Sequence, residues 1–211
     1  MPLFNFLKKD KQGGTVLLKP NKGTARYSLR KSMKMSLNSG LSLQDTVKLP
    51  EGEDRNEWIA MNTMELFEVL SLVYSSFGAE CTRASCPVMT AGESVEYRWQ
   101  EGKETPQRVS ARDYIVRLTN WIQSLFDDEA IFPVEGAFTK DFLPTVKLIL
   151  KRMFRIYAHM YHSHFQRLKQ LQADAHFITC FRHFYYFVKE FNLVDDVSME
   201  PLKSFIQDVC T

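Results

Sequence analysis

Two cysteines and two histidines stand in paired spacing in this chain: Cys81 and Cys86 in CTRASC, His159 and His164 in HMYHSH, with a third imidazole between the latter at His162. Thiolate and neutral imidazole are the usual ligands of tetrahedral Zn²⁺, and a pair two to five residues apart can chelate from one local segment. The plain alternative is two buried thiols and a row of histidines on a helix surface. Helix geometry complicates the pairing. At about 100° per residue, His159 and His164 stand about 140° apart, but His159 and His162 only about 60°. Geometry favours His159 with His162. A pair made of His159 and His164 needs a locally unwound helix or side chains that reach around it.

Two charged groups could also do chemistry. Lys151, Arg152 and Arg155 fall within one helical sector of roughly 100°, and the fork of an arginine suits phosphate. A solvated helix face is the ordinary alternative. Upstream, Glu51, Glu53, Asp54 and Glu57 crowd beside Trp58, with Arg55 as the one interrupting cation. Such a patch would steer a Lys/Arg-rich partner. Trp58 would anchor that partner if its ring is at least partly exposed; a buried ring would belong to the core instead. Enzymatic signatures are missing: there is no HExxH, no Gly-rich phosphate loop and no GxSxG. Two Cys and two His would already fill the coordination sphere of a zinc.

Helices must position these groups. Residues 146–171 carry no Gly or Pro, and Val146, Ile149, Leu150, Met153, Tyr157, Met160, Tyr161, His164, Leu168 and Leu171 repeat at helical spacing. Further helices are expected at 27–37, from 62 to about 77 with Asn62 and Glu65 as a capping pair, at 110–126, 175–191 and 199–209. Residues 94–99 alternate like a strand and, across the QEGK turn, should pair with 108–109. Residues 79–93 read as irregular. Residues 1–26 are Lys-rich, Gly-broken and poor in apolar residues, which describes a flexible tail before a domain at 27–211. With 211 residues, 45% of them hydrophobic, the chain can bury one core. A net charge of +2 gives no general pull towards nucleic acid or membrane. No apolar run approaches the ~20 residues of a spanning helix, and the N-terminus lacks the residue order of a signal peptide. Four cysteines in this length suit the cytosol or nucleus.

From about residue 27 onwards the chain resembles the Mob (monopolar-spindle-one-binder) family of kinase activators. The words LPEGEDRNEWIAMNT, CTRASCPVMTAG, LFDDEAIFP, ILKRMFRIYAHMYHSHF and FVKEFNLVD carry the likeness in the family's order. It is strongest to the subgroup that activates NDR/LATS kinases in the Hippo and mitotic-exit pathways. The resemblance implies a mainly α, single-domain helical bundle with a small β-hairpin and a structural zinc held by Cys81, Cys86, His159 and His164. It implies a phosphopeptide pocket at Lys151, Arg152 and Arg155. Kinase binding would fall to Glu53, Glu57, Trp58 and Glu65, the last replacing the family's Asp. The implied function is that of a non-catalytic adaptor and activator. It would dock on the basic N-terminal region of an NDR/LATS-type AGC kinase and take phosphopeptides from an upstream Ste20/Hippo-type kinase or another phosphorylated scaffold. Its setting would be the cytoplasm, the nucleus or spindle poles, with no membrane insertion and no nucleic acid partner. The departures lie at the front: the first 26 residues are not the usual family tail, and regulatory phosphorylation would map to Thr15 and Ser36. Two other functions fit parts of the pattern. One is a phosphopeptide adaptor without kinase activation. The other is a zinc hydrolase, which would need an open coordination position and a nearby base.

Overall fold

The structure is a computed structural model that describes residues 42–76 and 78–210. In chain order it runs α1 (Leu43–Thr46), α2 (Arg55–Ser75), β1 (Thr90–Ala91), β2 (Val95–Glu96), α3 (Ala111–Phe126), α4 (Phe142–Gln170), α5 (Asp174–Glu190), α6 (Asp196–Met199), a 3-10 turn (Glu200–Leu202) and α7 (Lys203–Val209). The mainly α architecture with one small hairpin is the one expected. The helix at 27–37, the tail at 1–26, Thr15 and Ser36 lie outside the described residues. Among the described residues, no helix is long and apolar enough to cross a membrane.

The hydrophobic stripe makes α4 the axis of the bundle, where it packs against α2, α3, α5 and β1. Burial exceeds one stripe: Phe154, Ile156 and Ala158 are covered as well as Met153, Tyr157 and Met160. The helix starts four residues before the apolar repeat, because Pro144 sits in the first turn, where its missing N–H has no partner to lose. It ends at Gln170, with Gln172 at φ +55 and the Ala173 N–H donating to the Leu168 carbonyl at 2.9 Å. Leu171, expected on the buried stripe, therefore falls past the helix and is 41% exposed. Around Tyr157 the rings of Phe177, Phe181 and Phe184 lie 5.9, 5.4 and 5.1 Å away. Phe205 of α7 closes on Phe181 at 5.0 Å. Tilted and edge-on pairs of this kind add about 0.5–1.5 kcal/mol each beyond burial.

Three expected boundaries shift. The helix after the acidic cluster begins at Arg55, not Asn62, because Asp54 is the cap: its carboxylate accepts from the N–H groups of Asn56 and Glu57 at 2.8 and 2.9 Å. Asn62 and Glu65 are thus interior positions, and buried Asn62 donates through Nδ2 to the Trp58 carbonyl at 2.9 Å. The hairpin pairs Thr90 with Glu96 and Ala91 with Val95 around Gly92 at φ +71. Beyond QEGK only a single bridge forms, Trp99 to Gln107, one residue short of the expected partner. The last helix is broken in two by Pro201, which tightens the chain into a 3-10 turn. Ser110 caps α3 as its spacing predicts, accepting the Asp113 N–H at 3.1 Å.

Trp58 is buried, with 2% of its surface exposed, and its Nε1 donates to the Val47 carbonyl at 2.9 Å. The partly exposed ring that an interface anchor requires is not there. Trp58 ties the segment before α2 to the core, and Trp58→Ala should cost about 3–5 kcal/mol of stability in a denaturant titration. An unchanged midpoint would contradict this packing.

His183 supplies a pH prediction. Burial holds its folded pKa down to about 4, while the unfolded chain titrates near the ordinary value of about 6.5. Between those values the unfolded state binds the extra proton, so this contribution is intact above pH ~6.5 and is lost as pH falls towards ~4. A melting-temperature profile should drop across that window, and His183→Gln should flatten the drop.

Candidate metal centre and anion site

The irregular 79–93 segment brings Cys81 and Cys86 against the buried flank of α4. The Cys81 Sγ lies 3.5 Å from the His159 Nε2, and the Cys86 Sγ 3.4 Å from the His164 Nε2. All four donor atoms lie within 4.8 Å of one another, and all four residues are buried. Tetrahedral bonds of ~2.3 Å to sulfur and ~2.0 Å to nitrogen would set neighbouring donors roughly 3.5 Å apart, so the cluster can hold a metal ion. α4 is continuous through this stretch. The two imidazoles reach around the helix instead of unwinding it, and their ring centroids stand 5.2 Å apart. His162 turns away: its Nε2 donates to the Pro201 carbonyl at 2.8 Å, and its ring packs on Gly92, where a Cβ would meet Nδ1 at 3.3 Å. The geometric preference for His159 with His162 is therefore wrong. The 60° that separates them is enough to point His162 at the hairpin and the C-terminal turn.

The local electrostatics suit a cation. The His159 Nδ1 donates to the Thr90 carbonyl at 2.9 Å, which leaves the Nε2 lone pair facing the cysteines. Burial holds His159 down to about 4, in the neutral form a metal needs. Burial, then the neighbouring Cys86, pushes the Cys81 thiol up to about 12. Two adjacent buried thiolates are unfavourable alone, and a divalent cation supplies the charge they lack.

Lys151, Arg152 and Arg155 do share one face of α4, but each is held differently. The Lys151 Nζ lies 3.3 Å from Asp195, an exposed pair of little energetic weight. Hydrogen bonds from Ser198, then Lys151, hold that carboxyl down to about 2. Arg152 is half-buried. Its guanidinium carbon is 4.8 Å from the Trp99 ring and 4.4 Å from the Trp121 ring, and Nη2 donates to the Gln100 carbonyl at 2.6 Å. The Arg152 Nη1 is buried without a hydrogen-bond acceptor. Burial lowers its pKa from the usual guanidinium value, and Arg155 pushes the same way. Arg155 donates to the Tyr114 hydroxyl at 2.8 Å and lies over the Tyr97 ring at 5.1 Å. Arg83, Arg98, Arg108 and Arg167 each have a carboxylate within ion-pair distance. Among the described residues, no carboxylate forms an ion pair with Arg152 or Arg155. The Glu101 carboxylate acts on Arg152 only at longer range, so these two adjacent cations are a candidate anion site.

Just before α2, Glu53 is exposed, and on α2 Glu57 and Glu65 are half-exposed. At about 100° per residue, Glu57, Glu65, Glu68 and Leu72 fall within one sector of roughly 80°. Leu72 is 55% exposed. Sequence reasoning missed both Glu68 and Leu72. Their spacing from Glu57 was the available signal, hidden by a helix start placed seven residues late.

A family model described as the Mob1/phocein family matches residues 34–202. MOB kinase activator 3A from Homo sapiens is 44% identical over 192 residues, covering 89% of this chain and 88% of the relative. MOB kinase activator-like 1 homolog B from Dictyostelium discoideum is 46% identical over 193 residues, covering 90% and 89%. Homolog C from the same organism is 47% identical over 192 residues, covering 89% and 88%. The match spans the metal-competent cluster, the cationic face and the acidic start of α2, and the chain belongs to the Mob1/phocein family.

Proposed function

We propose that this chain is a non-catalytic adaptor and activator of an NDR/LATS-type AGC kinase, that it captures phosphopeptides of an upstream Ste20/Hippo-type kinase, and that a structural zinc holds its 79–93 segment in place. The observation that carries the phosphopeptide part is the pair Arg152 and Arg155, charged and without a carboxylate partner among the described residues. The relatives' names, which call those proteins kinase activators, support the adaptor part. A zinc bound by four protein donors keeps no position for a substrate or water, which favours adaptor over hydrolase. An adaptor that captures phosphopeptides without activating a kinase would leave the purified kinase's rate unchanged when the chain is added.

The kinase-facing surface is the strip from Glu53 through Glu57 and Glu65 to Glu68 and Leu72. Its carboxylates complement a basic helix and would set the encounter rate and orientation. Leu72 takes the anchoring role, and Trp58 supports the strip from beneath. Thr15 and Ser36, in the N-terminal stretch before residue 42, are the proposed phosphorylation switch.

Glu57→Lys should slow association with the kinase, with a marked salt dependence, and Leu72→Ala should raise its off-rate by at least about fivefold. Normal binding and activation in both folded variants would place the docking surface elsewhere. Arg155→Ala should weaken a phosphothreonine peptide more than about tenfold, since charge-assisted bonds to phosphate are worth about 1.5–3 kcal/mol each. Equal binding of the phosphorylated and unphosphorylated peptides by the parent protein would refute the anion site. Elemental analysis should give one zinc per chain, lost in His164→Ala but kept in His162→Ala; zinc retained in both would be evidence against the ligand set.

A further inference from the structure

Among the described residues, Arg152 is the one cation with two aromatic rings within cation–π distance. Trp99 and Trp121 lie at 4.8 and 4.4 Å from its guanidinium carbon. The frame extends further: Tyr114 packs edge-on against Trp99 at 5.4 Å and accepts from Arg155 at 2.8 Å. Trp99 is itself pinned by its bridge to Gln107, with N–H to carbonyl distances of 2.9 and 2.7 Å. Two neighbouring guanidinium groups are thus framed by aromatic rings from the hairpin segment and α3.

Packing alone does not explain this. A half-buried cation costs desolvation, and exposed Arg98 and Arg108 nearby offset their charge with Glu96. Here the partners are rings, a carbonyl and a phenol, none of them charged, and Nη1 is left without an acceptor. A guanidinium in contact with two indoles and bonded to the Gln100 carbonyl has also lost much of its rotamer freedom before a ligand arrives. That ordering cost is not charged again on binding, and a desolvated cation–π contact is strong enough to hold the pose. A phosphate oxygen beside Arg152 would give its unpaired donor an acceptor.

We propose that Trp121 is a positioning residue of the anion site. With Trp99 it clamps the Arg152 guanidinium, beside Arg155, in the orientation that takes a phosphate monoester, and so it governs preference for phosphothreonine over a carboxylate mimic. This rests on the phosphopeptide reading above. Trp121 serves as the probe because it is half-buried on α3, whereas Trp99 is a core residue at 3% exposure.

The test uses the full chain and a synthetic phosphothreonine peptide from a Hippo-type kinase, with its unphosphorylated and Glu-substituted forms. Trp121→Leu should weaken the phosphopeptide about tenfold while leaving the weak binding of the Glu form nearly unchanged. Trp121→Phe, which keeps a ring face, should recover most of the loss. A purely structural role would lower the melting temperature without narrowing the phosphate-to-Glu ratio. Full phosphopeptide affinity in Trp121→Leu, with affinity lost in Arg155→Ala, overturns the clamp and leaves the anion site standing. Failure of the parent protein to prefer the phosphorylated form removes the anion site and the clamp with it. Side-chain NMR of the unaltered protein is a second measurement that needs no variant. The Arg152 N–H signals should be shifted by ring currents before ligand is added, and bulk-averaged signals would overturn the proposal.

Discussion

The meeting of Cys81 and Cys86 with His159 and His164 joins positions 78 residues apart. Closing a flexible loop of that length costs on the order of 4 kcal/mol. Two thiol–imidazole hydrogen bonds contribute about 1 kcal/mol each and do not cover it. A bound structural metal contributes on the order of 10 kcal/mol, so with a metal in the cluster the balance changes sign. The 79–93 segment has little regular hydrogen bonding of its own, and this junction joins the Arg167–Glu80 ion pair and the burial of Met89 and Ala91 in holding it on α4.

The hairpin and the cationic turn of α4 adjoin that junction. The Thr90 carbonyl accepts from His159, and the Met89 N–H donates to the Val109 carbonyl at 3.1 Å. Tyr97 and Trp99 then leave the hairpin towards the cationic turn, where they cover Arg155 and Arg152. His162, between His159 and His164 in sequence but facing another way, ties Gly92 to the C-terminal turn. A single helix therefore carries the His159 and His164 of the metal-competent cluster on one flank and the Arg152 and Arg155 of the proposed anion site on another, with the hairpin bridging the two.

Much of this was legible from residue types. Periodicity located the central helix, the serine at position 110 marked its helix start, and the Cys/His spacing pointed to a metal. Other features turned on three-dimensional details. The ideal helical angle favoured His162 over His164, but side chains several ångströms long reach around a turn more easily than a backbone angle suggests. Asn62 resembled a cap because its type and spacing are those of a cap; Asp54 had the stronger claim, with Glu57 three residues on. Trp58 beside four acids looked like a surface anchor, and only the Val47 carbonyl, eleven residues away, shows where its indole goes. The aromatic frame of Arg152 was beyond reach, since it gathers residues from three separate segments.

If the junction organises the anion site, metal and phosphate binding must be linked although they use different residues. Phosphopeptide affinity should be followed by fluorescence anisotropy while zinc is withdrawn with a chelator, with far-UV circular dichroism recorded alongside. Affinity should fall in step with zinc loss while most of the helical signal persists, and return when zinc is restored. A zinc-free protein that keeps its helices and binds the phosphopeptide as tightly as before would contradict this dependence.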